Sequence, residues 1–196
     1  MAKRLFDVLL SALALLLLSP VLIGVAVWIK LDSPGPVFYR QERVGLHGVP
    51  FRIHKFRTMV HGGDGPQITV GADARITRAG RWLRRVKLDE LPQLVDVLVG
   101  RMSIVGPRPE VPRYVALYPK ALRDKVLSVR PGITDPASLA YRNESEALAR
   151  AVDPEREYVD VVMPAKLQLA AQYVDHASLG FDLRLILKTL RLVWWR

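Results

Sequence analysis

The feature that most constrains this chain is an uncharged apolar run from Val8 to Ile29. Its 22 residues exceed the roughly 20 that an α-helix needs to cross the hydrocarbon core of a bilayer. Lys3 and Arg4 precede the run, Asp7 stands at its edge and Lys30 follows it. A cleaved signal peptide shares the basic start, but its apolar region is shorter, about 7–15 residues. Two other readings are level on physical grounds. One is a spanning helix. The other is a helix that enters the membrane, bends and returns to the side it came from. Ser19-Pro20 lies near the middle of the run. Proline removes a backbone donor and clashes with the carbonyl four residues back, so it bends a helix. Ser19 is suited to re-satisfy a freed backbone group. Cations at both ends also fit two ends on the cytoplasmic side, which positive residues prefer.

The whole chain of 196 residues is enough for one domain with one core. It carries 29 Lys and Arg against 19 Asp and Glu, a net charge of +10. Such a balance attracts nucleic acid, phosphate-bearing small molecules or anionic headgroups, and composition does not choose among them. The absence of cysteine excludes a disulfide framework, thiolate zinc sites and a cysteine nucleophile. His47, His54, His61 and His176 form no metal-ligand motif and read as surface or loop residues. No Ser-His-Asp order and no glycine-rich phosphate loop with a following lysine is visible.

Asp32-Ser33-Pro34-Gly35-Pro36 ends the membrane element in a turn. Val37–Val44 and Val49–Phe56 then read as a β-hairpin around Gly45-Leu46-His47-Gly48. Met59 to Ala74, with four glycines and little apolar content, reads as an exposed mobile loop that could act as a lid. Thr77 is placed to cap a short basic helix, Arg78 to Val86. Pro92 is tolerated in a first turn, so the next helix is expected to run from near Asp89 to Gly100. Ser103 to Pro109 reads as a stiff loop, Val111 to Leu127 as helix broken near Pro119, and Arg130-Pro131-Gly132 as a turn. Asn143 to Val162 is polar and helix-prone. In the last segment Arg184, Lys188 and Arg191 form one helical stripe that Trp195 continues. Leu183, Ile186, Leu190 and Val193, widened by Leu187 and Trp194, form an opposite apolar face. That pattern suits a membrane-interface helix, or a core-packing helix with a solvated basic face.

The chemistry-bearing stretch is Arg84-Arg85-Val86-Lys87-Leu88-Asp89-Glu90-Leu91-Pro92-Gln93. Two adjacent carboxylates follow a cluster of cations. Cations and a helix N-terminus both favour an ionised carboxylate and a bound phosphate. An ionised aspartate is suited to attack phosphorus or to hold Mg²⁺. On spacing alone, the simpler reading wins: Asp89 and Glu90 cap a helix and pair with Arg84, Arg85 or Lys87. Gly106-Pro107-Arg108-Pro109 holds one arginine between two prolines. That presents a guanidinium with little freedom, as phosphate binding requires, or it is a proline-rich turn with an exposed arginine.

Six motifs occur in order: Ser33-Pro34-Gly35-Pro36-Val37-Phe38-Tyr39, Arg43-Val44-Gly45, Lys55-Phe56-Arg57-Thr58-Met59, Leu88-Asp89-Glu90-Leu91-Pro92-Gln93, Met102-Ser103-Ile104-Val105-Gly106-Pro107-Arg108-Pro109 and Arg130-Pro131-Gly132-Ile133-Thr134. Together they resemble the bacterial sugar transferases, the monotopic phosphoglycosyl transferases, from Lys3 to about Asn143. The resemblance implies an α+β fold, mostly helical, with a re-entrant membrane helix over residues 1–31 broken at Ser19-Pro20. Residues 32–196 would form a cytoplasmic catalytic domain with a small β-hairpin and several interfacial amphipathic helices. It implies transfer of a sugar-1-phosphate from a UDP-sugar to a polyprenyl phosphate, with release of UMP, at the start of polysaccharide or glycoconjugate synthesis.

By the same resemblance Asp89 is the nucleophile and a Mg²⁺ contact, and Glu90 is its dyad partner. Arg84, Arg85, Arg108, Lys55, Arg57, Arg130, Thr134 and Arg142 are expected to bind phosphate or substrate. The expected setting is the bacterial inner membrane, with anionic headgroups as a further partner and a homodimer left open. One departure stands out. Many relatives follow Pro-Gly-Ile-Thr with glycine and a glutamine-containing stretch, whereas this chain continues Asp135-Pro136-Ala137-Ser138-Leu139-Ala140-Tyr141-Arg142-Asn143. That leaves the Asp89–Glu90 pair intact and bears on sugar identity. Two rivals remain: a non-catalytic scaffold at the membrane, and a membrane-tethered nucleic-acid binder. Against the second, the cations cluster beside carboxylates and no nucleic-acid motif appears, so no nucleic acid is expected as a partner.

Overall fold

The computed structural model describes residues 1–60, 62, 70–71 and 73–194. Most of the glycine-rich segment read as a loop lies outside the described residues. So do Trp195, Arg196 and the side chains of Val193 and Trp194. The described chain is mostly helical with few short strands.

The apolar run lies within one long helix, α1 (Ala2–Asp32), which contains Pro20. Ser19 Oγ donates to the Leu16 carbonyl at 2.8 Å. The middle of α1 is bare: Leu13, Leu16, Leu17, Val21 and Ile23 are all exposed. Its two ends are not. Near the start, Lys3 donates to the Val105 carbonyl and pairs with Asp182. Arg4 donates to the carbonyls of Val97 and Leu98. Buried Asp7 accepts from Ser103 Oγ and the Ile104 amide. Near the finish, Val25 and Ile29 pack with Phe56 and Leu83.

The expected hairpin is present in two pieces. β1 (Phe38–Tyr39) pairs antiparallel with β4 (Lys55–Phe56), and β2 (Glu42–Val44) with β3 (Pro50–Arg52). Both pieces keep one register, so this is a single hairpin interrupted where Arg40 faces His54. The segment expected to be a loop is closed at its base, where Met59 bridges Ile76 and the Val60 amide donates to the Arg75 carbonyl.

α2 (Arg78–Arg85) starts at Thr77, whose side chain accepts from the Gly80 amide. It ends at Lys87, which has a φ of 57° and reverses the chain. The helix expected from Asp89 does not start there. Leu88–Glu90 forms a 3-10 turn, and the α-helical ladder, α3 (Gln93–Leu98), begins only after Pro92. Pro92 has no amide to donate, and the links around it are tight: Leu91 to Leu88, Leu94 to Leu91 and Val95 to Pro92.

Two sequence readings are corrected by pairing between distant segments. Ser103–Val105, expected as loop, is β5, and it pairs in parallel with β6 (Gly132–Thr134), where a turn was expected. The two backbones touch so closely that a Cβ on Gly132 would sit 2.1 Å from the Gly106 nitrogen. Only glycine fits there.

Between these strands lie α4 (Pro112–Val115) and α5 (Lys120–Val126), separated at Pro119 as expected. The polar stretch after β6 breaks up into α6 (Pro136–Ala140), α7 (Glu144–Leu148) and α8 (Pro154–Glu157), then a π turn at Tyr158–Val162. The π turn runs into α9 (Met163–His176), which packs on α5 and α6.

In α10 (Leu179–Trp194) the buried positions are Asp182 and Leu185, with Ile186 and Thr189 half-buried. Leu183, Leu187 and Leu190 are exposed beside Arg184, Lys188 and Arg191. The apolar face read from the sequence is therefore divided. Leu185 and Ile186 face the core, because Asp182 and Thr189 find polar partners there.

Candidate active site

The 3-10 turn carries Asp89 and Glu90 into the protein, and both are buried. β4 lies against this turn and brings Lys55 to the pair. Lys55 Nζ is 2.9 Å from Asp89 Oδ2 and 3.3 Å from Glu90 Oε1. From the loop after β5, Arg108 grips Glu90 with both terminal nitrogens, at 3.1 and 2.5 Å. Pro107 and Pro109 stiffen that loop, and the Arg108 amide donates to Asp135 Oδ2 at 3.3 Å. Asp135 also caps α6 by accepting from the Ser138 amide. From α2, half-buried Arg84 donates through Nε to Thr58 Oγ1 at 2.8 Å.

Charge divides the two carboxylates into different roles. Burial would raise the Glu90 carboxyl, but Arg108 and Lys55 outweigh it and hold the group well below the usual carboxylate range. The field of Glu90 raises the Arg108 guanidinium in turn. Glu90 is thus locked as an anion in a bidentate pair. Burial lowers the Arg84 guanidinium, opposed first by the field of Asp89. Asp89 is less occupied than Glu90. Its Oδ2 is held by Lys55, while its buried Oδ1 has no hydrogen-bond partner among the described residues.

A buried oxygen lacking a donor is short of an electrophile. The residues therefore fit Mg²⁺ at Asp89. No group of three or more metal-ligating side chains occurs among the described residues. A Mg²⁺ ion typically takes one or two carboxylates and completes its shell with water and substrate phosphates, which suits such a site.

The structure thus gathers Asp89, Glu90, Lys55, Arg108 and Arg84. It gives other residues different partners. Arg57 is buried, and its terminal nitrogens donate to the carbonyls of Ile29, Ser33 and Pro34 and to Ser33 Oγ, clamping the end of α1. Arg130 is exposed and donates to the Gly100 carbonyl. Thr134 Oγ1 is 2.8 Å from Thr189 Oγ1 on α10. Arg85 is exposed at the end of α2, and Arg142 is exposed between α6 and α7.

Sequence reasoning passed over Asp96, Thr58 and Glu110. Asp96 follows Asp89 by seven residues, two turns of helix, which is a usable signal. Glu110 has none: it is defined by Arg43 at 3.0 Å and Tyr158 at 2.6 Å, both remote in sequence. Glu110, Tyr118, Asp135, Tyr158 and Lys166 line a shallow open cleft beside Arg108.

All of residues 1–196 match the family described as bacterial sugar transferase. The chain belongs to that family. Relatives of this sugar transferase include the UDP-glucose:undecaprenyl-phosphate glucose-1-phosphate transferases of Escherichia coli, 37% identical, and Xanthomonas campestris, 41% identical. In both cases 96% of this chain is covered, against 39% and 38% of the relative. This chain therefore spans about two fifths of the length of those relatives. The exopolysaccharide production protein ExoY of Rhizobium meliloti is nearer in size: it is 36% identical, over 97% of this chain and 84% of its own.

Proposed function

We propose that this sugar transferase moves a sugar-1-phosphate from a UDP-sugar to a polyprenyl phosphate, undecaprenyl phosphate by analogy with its relatives, through a covalent aspartyl intermediate. The observation that carries this reading is Asp89, a buried carboxylate with one oxygen held by Lys55 and the other without a partner among the described residues, set among cations. In the first step Asp89 Oδ1 attacks the phosphorus that bears the sugar. An aspartyl O–P bond forms, the bond to the bridging oxygen breaks and UMP leaves with that oxygen. In the second step an oxygen of the polyprenyl phosphate attacks the same phosphorus. The aspartyl O–P bond breaks and the Asp89 carboxylate is restored. Two displacements at one residue make the kinetics ping-pong. Glu90 holds Arg108 and Lys55 in place, and those cations face the phosphates. Asp89 is the residue that would hold Mg²⁺, which when bound would supply charge neutralisation at the donor phosphates. The cleft beside Arg108 is lined in part by Asp135, from the stretch that departs from many relatives.

We further read α1 as re-entrant, with residues 32–196 on the cytoplasmic face of the bacterial inner membrane and anionic headgroups against the cations. What supports this is that both ends of α1 are tied to the same domain. A straight helix of 31 residues is about 46 Å long, and a spanning one would leave its ends on opposite sides. Exposed Leu183, Leu187 and Leu190 beside a cationic stripe support an interfacial α10.

The deciding experiment is intact mass spectrometry after exposure to UDP-sugars with Mg²⁺ and without lipid. A gain of one sugar phosphate, absent in Asp89→Asn, is expected and names the sugar. Failure of every donor, with no UMP released on adding polyprenyl phosphate, would favour a scaffold.

A further inference from the structure

Asp96 is wholly buried and outside the Asp89–Glu90 pair. Both its oxygens are taken by one residue. Oδ2 accepts the His54 backbone N–H at 2.7 Å, and Oδ1 lies 2.8 Å from His54 Nδ1. Arg101, 3.7 Å away, is half exposed. On its other side, His54 Nε2 lies 2.7 Å from Arg40 Nη1. An ionised carboxylate only accepts and a guanidinium only donates. Nδ1 therefore carries the proton, Nε2 is bare and the ring is neutral.

The place of this contact matters. His54 sits at the gap in the hairpin, where its amide donates to Asp96 instead of to the opposing strand. The next residue is Lys55, which holds Asp89 and Glu90. Asp96 lies in α3, which follows the 3-10 turn that carries Asp89. The strand carrying Lys55 is thus fastened to the Asp89–Asp96 segment at two adjacent residues. His54 meets the far end and Lys55 the near end.

We propose that Asp96 is a positioning residue: by holding His54 through backbone and ring, it sets Lys55 Nζ against Asp89 and Glu90. The proposal rests on the reading of Asp89 as nucleophile. Lys55 occupies Asp89 Oδ2 and so turns Oδ1 toward phosphorus. A displacement of about 1 Å at such a contact can cost about 100-fold in rate.

The test uses the full chain in vesicles containing undecaprenyl phosphate, with the donor found by mass spectrometry. Asp96→Ala is made alone and on Lys55→Ala, and UMP release is measured. We expect Asp96→Ala to lower kcat about 100-fold while donor KM moves less than about 3-fold. On Lys55→Ala it should add less than about 3-fold, because residues acting through one contact are not additive. Multiplying losses, or an unchanged rate, would overturn the proposal. Asp96→Asn guards against misfolding, since it keeps the shape and one acceptor. It turns a donor toward Nδ1, so the proton must move to Nε2, against Arg40. Nitrogen NMR of His54 should show a protonated Nδ1 in the unsubstituted protein and a protonated Nε2 in Asp96→Asn. A His54 without a protonated Nδ1 would sink the clamp whatever the activity. If no donor releases UMP, the transferase reading fails and the His54 spectrum alone decides the clamp.

Discussion

Arg108 and Glu90 form a two-pronged ion pair, with nitrogens at 3.1 and 2.5 Å, between a loop after β5 and the turn that carries Asp89. The pair joins two segments 18 residues apart and leaves Asp89 beside it with one oxygen unbonded among the described residues.

Arg108→Ala removes the partner of a buried carboxylate. Breaking a fully buried pair costs about 3–5 kcal/mol. The Arg108 side chain is 35% exposed, so water recovers part, and a loss of about 1–3 kcal/mol is expected in urea denaturation. Arg108→Lys keeps the charge and loses the fork. It should recover stability more fully than turnover. Equal recovery of both would contradict a geometric role for the guanidinium.

Glu90 also makes stability depend on acid. Its folded-state pKa lies below the ordinary 4.5, so its contribution is complete above about pH 4.5. That contribution is lost as pH falls below this value through the folded pKa. Thermal melts of the parent chain should therefore drop between about pH 4.5 and lower values more steeply than melts of Glu90→Gln. Parallel curves would mean that Glu90 is not held as an anion.

Arg57 separates a structural from a phosphate-binding role. Its contacts with the end of α1 predict that Arg57→Ala removes hydrogen bonds to the part-buried carbonyls of Ser33 and Pro34 and destabilises the protein by about 1–3 kcal/mol. Donor KM should stay within about 3-fold. A stable variant with a greatly raised KM would restore the phosphate contact that its motif suggests.

The course of α1 is open to chemical labelling, because the chain has no cysteine of its own. Single cysteines at Ala2 and Leu31 should be equally protected from an impermeant maleimide in intact cells, and equally labelled after lysis. Labelling of one position alone from outside would establish a spanning helix.

Much of this molecule was written locally. The uncharged run, the Thr77 cap, the hairpin and the break at Pro119 each depend on residues a few positions apart, so periodicity and turn chemistry reveal them. Asp89, Glu90 and Arg108 stood out for the same reason, since adjacent carboxylates and flanking prolines are visible in a line of letters. What tertiary structure alone decided depends on partners far along the chain. β5 became a strand because Gly132 lets β6 approach Gly106 closely. Arg57 became a clamp because the end of α1 presents the carbonyls of Ser33 and Pro34 to its guanidinium. Lys55 reached Asp89 because β4 settled on the turn, fastened there by Asp96. Propensity acts over a few residues. A buried charge, by contrast, is settled by whichever donor the fold carries to it, and that choice is made in space.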